Sequence, residues 1–308
     1  MSLQTFSANG KLLLTGEYLV LKGALALAVP TQLGQTMTVE TVHTPSLQWN
    51  AYRPDGLWFS ATLNPETLEV IQTDDPGKAQ KLSEILHAVR QLNPSAFGPG
   101  LRFETRLDFN PEWGLGSSST LIANLAQWAG VDPYRLLKAT FGGSGYDIAC
   151  ATAKSPIFYR LENEVPQVHP VAFNPPFAEQ LYFVYQGKKQ QSSKEVSNFK
   201  QRLKEMDFHE EIEAVSQISQ TLPEVTELAD FSRLMDLHEE IVGRCLDRQP
   251  IKVQFPDFEG SLKSLGAWGG DFLLAATPWP EDRVRSYFYQ KGLDIIFKYN
   301  ALYGSKLD

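Results

Sequence analysis

Three consecutive hydroxyl side chains, Ser117, Ser118 and Ser119, follow two closely spaced glycines, Gly114 and Gly116, at the junction of two differently patterned segments. Before them, Leu101, Phe103, Thr105, Leu107 and Phe109 alternate with more polar neighbours at the period of a half-buried strand. After them, Leu121, Ile122, Leu125, Ala126 and Trp128 recur at helical spacing. Glycines at such a junction remove the side chains that would hold a phosphate away from the backbone. The start of a helix adds N–H groups without intrahelical partners and the positive end of a dipole. Hydroxyls placed there can donate to phosphate oxygens or ligate a magnesium ion. A glycine-serine run by itself is as often only a turn, so its company decides the reading.

That company is a lysine, a carboxylate and a second glycine cluster. Ala8-Asn9-Gly10-Lys11-Leu12-Leu13-Leu14-Thr15-Gly16-Glu17-Tyr18 places Lys11 in an apolar strand-like segment ahead of an acidic turn. Phe141-Gly142-Gly143-Ser144-Gly145-Tyr146-Asp147-Ile148-Ala149 is a glycine loop that delivers Asp147 to the start of an apolar element. Gly266-Ala267-Trp268-Gly269-Gly270-Asp271 leads into a strand at 272–276. Phosphoryl transfer needs positioning and charge neutralisation more than covalent catalysis. One lysine, one carboxylate, one magnesium ion and a ring of N–H groups supply both. No GxxxxGK[ST] run occurs, which excludes ordinary P-loop machinery, and Gly114-x-Gly116 lacks the third glycine of a dinucleotide fingerprint. Plainer roles remain open: Lys11 as a solvated strand residue, Asp147 as a helix N-cap, and Ser192, Ser193 and Lys194 as the cap of a following helix. Trp113, Tyr146 and Trp268 read as packing residues.

In order along the chain, the stretches around Lys11, 111–119 and 266–271 resemble the three motifs of the galactokinase, homoserine kinase, mevalonate kinase and phosphomevalonate kinase superfamily, the GHMP kinases. The family's first motif is close to A-P-G-K with a G-E-[HY] turn, its second P-x-x-x-G-L-G-S-S-[AS], its third G-A-G-G-G. Gly16-Glu17-Tyr18, Gly143-Ser144-Gly145-Tyr146-Asp147 and the third cluster look most like phosphomevalonate kinase, whereas Gln191-Ser192-Ser193-Lys194 is similar to a loop of mevalonate kinase. The resemblance implies ATP and Mg2+ as cofactors and a small-molecule acceptor, mevalonate or phosphomevalonate. It assigns Gly114, Leu115, Gly116, Ser117, Ser118 and Ser119 to the ATP phosphates, with Ser118 also a magnesium ligand. Lys11 would neutralise charge at the transferred phosphoryl group, and Asp147 would accept or orient the acceptor's proton. Glu17 would brace its turn or contact substrate, Ser193, Lys194 and Gly269 would bind substrate, and Gly266, Gly269 and Gly270 would let backbone close over the site. The chain departs from the pattern at Asn9, where the family has proline, at Trp268, where it has glycine, and in lacking the additional magnesium-binding glutamate of mevalonate kinases. A sugar or homoserine as acceptor, the related decarboxylase, and a nucleotide-binding regulator without turnover are the alternatives.

The resemblance also implies an α+β, two-domain fold with the site in the cleft between the domains. A chain of 308 residues fits two domains, and the proline-rich stretch 166–176 suggests a division into 1–170 and 171–308. Helices are expected at 78–93, from Pro133 behind an Asp132 cap, and through to about Asp247. A hairpin is expected around Pro54-Asp55-Gly56, and strands at 156–161, 181–185, 272–276 and 293–299. The net charge of −8 disfavours nucleic acid or an anionic membrane as partner. The two cysteines, Cys150 and Cys245, form no CxxC pair and suit a reduced, cytoplasmic setting. His43, His87, His169, His209 and His238 show no metal-ligand spacing. No apolar run is long enough to span a membrane, no signal-peptide pattern opens the chain, and a homodimer is left open.

Overall fold

The computed structural model describes residues 3–188, 199, 201–202, 206–266, 268 and 270–304. The chain opens with a long antiparallel pair, β1 (Leu3–Leu13) and β2 (Ala26–Thr41), whose register shifts between Asn9 and Gly10. The expected hairpin follows as β3 (Leu47–Arg53) and β4 (Gly56–Leu63), then β5 (Val70–Thr73). Helix α1 (Pro76–Leu92) starts where the Asp75 carboxylate accepts the Lys78 N–H at 3.0 Å and Pro76 occupies the first turn. Its buried Leu82, Ile85, Leu86 and Val89 form the predicted apolar face.

β6 (Leu101–Leu107) runs parallel to β3 and antiparallel to β2, with Leu101, Phe103, Thr105 and Leu107 turned inward as the alternation requires. Then come α2 (Ser117–Ala129), α3 (Pro133–Thr140), α4 (Tyr146–Thr152), β7 (Ile157–Glu162) and β8 (Val165–Pro170). Asp132 caps α3 by accepting from Tyr134 N at 2.7 Å and Arg135 N at 3.2 Å. The first sheet has the order β5-β4-β3-β6-β2-β7-β8, with β1 added on β2. The start of the proline-rich stretch is its last strand, β8, where an edge position tolerates Pro166 and Pro170.

The second sheet holds β9 (Leu181–Tyr185), β10 (Ser261–Ser264), β11 (Phe272–Ala276) and β12 (Ile296–Lys298), antiparallel in the order β10-β11-β9-β12. α5 (His209–Thr221) and α6 (Leu228–Leu246) precede β10; α7 (Glu281–Gln290) lies between β11 and β12, and a short α8 (Tyr299–Leu302) replaces the end of the strand expected to reach 299. Trp49, Phe103, Leu86 and Ile122 share one core between the first sheet and its helices. A second core joins the two sheets, with Leu12, Val29, Leu107 and Leu115 against Phe183, Phe272, Phe231 and Met235. Each large side chain so buried contributes about 2–3 kcal/mol of apolar transfer. Trp113 adds an edge-on contact to Phe297 at 5.3 Å, fixing the segment before the glycine-serine run to the second sheet. Among the described residues no helix is long and apolar enough to cross a membrane.

Candidate active site

The inner end of β1 is fastened to the glycine-serine loop. The Lys11 N–H donates to the Leu115 carbonyl at 2.9 Å, and its ammonium donates to the Gly114 carbonyl at 2.8 Å. The ammonium also lies 5.7 Å from the centre of the Tyr146 ring. Burial alone would lower the pKa of Lys11, but Tyr146, Asp271 and Asp147 outweigh it and hold the lysine above its ordinary value. Lys11 is therefore charged throughout the physiological range and is no solvated strand residue.

Asp147 sits in the first turn of α4, behind Gly145 at φ 88°. Gly145 is the N-cap, so Asp147 does not cap the helix; its Oδ1 accepts the adjacent Ile148 N–H at 3.1 Å. The half-buried side chain has its carboxyl pushed above the usual range by burial, with Lys11 pulling the other way. Burial also pushes the Tyr146 phenol up to about 12, which keeps it neutral beside them. The structure thus brings Lys11 and Asp147, far apart in sequence, to one place, and adds Tyr146, which the sequence assigned to packing.

The start of α2 carries no side-chain cap, because its N-cap is Gly116 at φ 94°. Of the three serines, Ser119 is buried and donates its hydroxyl back to the Gly116 carbonyl at 2.9 Å, Ser117 is half-buried, and Ser118 is exposed. An uncapped helix start beside a charged lysine suits an anion. Gly114, at φ 71°, is bare for a different reason from the one expected. A Cβ there would lie 2.4 Å from Cγ of Asp271, so the space it leaves is taken by a carboxylate of the third glycine cluster. Asp271 is buried at φ 54°, its N–H donating to the Lys188 carbonyl and its carbonyl accepting from Gln186 N, both at 2.8 Å. Lys11, Trp113, Gly114, Gly266, Asp271 and Phe272 line the cleft where the two halves of the chain meet. The sequence does not single out Asp271; its one signal there is its place at the end of a glycine cluster.

Glu17 lies inside the protein, 1% exposed. Its carboxylate accepts from the Lys263 ammonium of β10, and its Oε2 is 3.4 Å from Nε2 of His238 in α6. The Gly16 N–H donates to that same Nε2 at 2.9 Å, so the ring proton is on Nδ1. Neighbouring Glu239 accepts from Ser264 Oγ at 2.8 Å and Ile251 N at 3.1 Å. Trp268 turns its indole into the core against Gly243 of α6 rather than over the loop. Its backbone N–H donates to the Tyr18 hydroxyl at 3.2 Å and its backbone carbonyl accepts from Arg248 at 2.7 Å. Ser193, Lys194 and Gly269 lie outside the described residues. Among the described residues no group of three or more His, Cys, Asp or Glu is placed to hold a metal ion.

No family model matches the chain, and no curated protein matches its sequence. Solved structures match it over nearly its whole length. Mevalonate kinase of Methanococcus jannaschii is 17% identical with a TM-score of 0.69, covering 96% of this chain and 97% of its own. Streptococcus pneumoniae phosphomevalonate kinase, solved with phosphomevalonate and AMPPNP, is 15% identical with a TM-score of 0.70, covering 96% of this chain and 99% of its own. Lactococcus lactis galactokinase, solved with galactose, is 11% identical with a TM-score of 0.66, covering 99% of this chain and 94% of its own. These enzymes are among those that give the superfamily its name, and the chain has the fold of the GHMP kinases.

Proposed function

We propose that this protein transfers a phosphoryl group from ATP to a small acceptor, with mevalonate or phosphomevalonate as the acceptors its motifs most resemble. The observation that carries the reading is a charged Lys11 held between Asp147, Tyr146 and the backbone of a glycine loop that opens an uncapped helix. In this reading the free N–H groups at the start of α2 bind phosphate oxygens, and Lys11 neutralises charge on the outermost phosphate. Asp147, its carboxyl raised by burial, takes or orients the proton of the acceptor. Ser118, exposed in the first turn, offers its hydroxyl to a magnesium ion, which when bound would neutralise phosphate charge. Glu17 acts as a brace through Lys263. The division near residue 170 is supported by the first sheet ending at Pro170 and the second beginning at Leu181.

Purified protein incubated with Mg-ATP and each of mevalonate, phosphomevalonate, galactose and homoserine is expected to release ADP with one of them. If none stimulates release while ATP still raises the melting temperature, the protein binds nucleotide without turnover and the kinase reading is lost.

A further inference from the structure

Asn9 occupies the position at which the resembled first motif has proline, and it makes contacts that proline, lacking a donor, cannot make. It is fully buried beside the register shift of β1, and its side-chain amide donates to the Ala153 carbonyl at 2.6 Å and to the Cys150 carbonyl at 3.4 Å. Both carbonyls belong to the C-terminal end of α4, where backbone oxygens run out of intrahelical partners. From within, the Ala153 N–H serves the Cys150 oxygen at 3.1 Å and the Thr152 hydroxyl reaches the Ala149 oxygen at 3.3 Å.

We infer that Asn9 is a positioning residue that sets the separation of Lys11 and Asp147 by tying β1 to the far end of α4. Lys11 is two residues further along the same strand, and that strand is bound on its other side to the loop through the Leu115 carbonyl. Asp147 is in the first turn of a helix of seven residues, about 10 Å long. The helix is entered through Gly142, Gly143 and Gly145, all at positive φ, with the Tyr159 hydroxyl holding the Ser144 carbonyl. Elsewhere β1, α2 and α4 meet through apolar side chains: Ala8, Ala123 and Ala151 in one small cluster, Leu13 with Ala149 and Cys150 in a second, and Ile148 with Ile122 and Leu125 in a third. Such apolar contacts hold the elements together without being directional, and so do less than a hydrogen bond to set where one lies along the other. A buried, directional amide fixes register where smooth packing does not.

The turnover arm of the test rests on the proposed kinase reading; a second arm does not. Asn9→Ala is expected to keep ATP affinity within about threefold and to lower kcat by about 10–100-fold, the usual scale for a displaced catalytic group. In an Asp147→Asn background the same change is expected to cost nothing further. Independently of activity, the NMR titration midpoint of the labelled Lys11 side chain should fall in Asn9→Ala, because the carboxylate beside it has moved. An equal extra loss in the Asp147→Asn background, or a Lys11 midpoint that stays put, overturns the inference and leaves Asn9 a structural residue only. If the unmodified protein turns over no acceptor, the kinase reading fails, and the Lys11 titration still decides the role of Asn9. Should Asn9→Ala not fold, Asn9→Ser, whose hydroxyl is too short to reach α4, is put through the same measurements.

Discussion

An alanine at position 114 would need the space that the Asp271 carboxylate fills. Its Cβ would come within 2.4 Å of Cγ and 2.6 Å of an oxygen, on a backbone already at φ 71°. The left-handed conformation alone costs a non-glycine residue about 1–2 kcal/mol. Gly114→Ala should therefore lower the melting temperature and, under the proposed function, shrink the rise expected with Mg-ATP, and a simultaneous Asp271→Gly should recover part of the stability. Calorimetric melting of the three proteins with and without nucleotide checks this; an unchanged single variant would mean that the carboxylate is not seated on the loop. Single residues were legible here to the degree that they belong to a motif. Glycine context singled out Lys11 and Asp147, which the fold brings close enough to influence each other's charge. The reason for Gly114 could not be read this way, because it depends on a side chain more than 150 residues away that adopts a conformation open to many aspartates.

Elements whose signals are local could be read well. Asp132 and Pro133 mark the start of α3, and the turn at Pro54-Asp55-Gly56 marks the hairpin, since the partners in each case are a few residues apart. β10 could not be read, because Ser-Leu-Lys-Ser shows no apolar alternation, yet all four residues are buried by β11, α6 and the buried ion cluster. Trp268 shows how a motif can change without blocking the loop it belongs to. Its ring is 2% exposed, and a Cβ on Gly243 of α6 would come within 3.2 Å of it, so α6 makes room for the indole. Trp268→Ala should cost about 3–5 kcal/mol in urea unfolding. A loss below about 1 kcal/mol would place the ring outside the core.

The two halves of the molecule are joined through a buried charge cluster as well as through aromatic packing. Glu17 from the first half meets Lys263 of β10 and His238 of α6, all three between 0% and 1% exposed, with Glu239 alongside. Burial pushes the Glu17 carboxyl from its ordinary 4.5 up to about 7, against the pull of Lys263. In the folded state it therefore binds a proton that the unfolded chain has released, and its contribution to stability falls as pH rises from 4.5 to 7. Burial, with Lys263 adding to it, holds His238 well below its ordinary 6.5. The unfolded chain then takes up the extra proton, and stability falls as pH drops below 6.5. Each effect is worth about 1.4 kcal/mol per pH unit, and between pH 4.5 and 6.5 they act in opposite directions. In that window the contributions of Glu17 and His238 offset each other in part, and removing one should expose the other. Relative to the unmodified protein, Glu17→Gln should lose stability as pH falls from 7 to 4.5, because only the parent gains from protonating Glu17. His238→Gln should instead gain on the parent below pH 6.5, being spared the penalty of a buried neutral imidazole. Urea unfolding of both variants at pH 5, 6 and 7 measures the two differences. Slopes of the same sign would show that Glu17 and His238 do not hold these protonation states, and that the joint between the halves rests on packing alone.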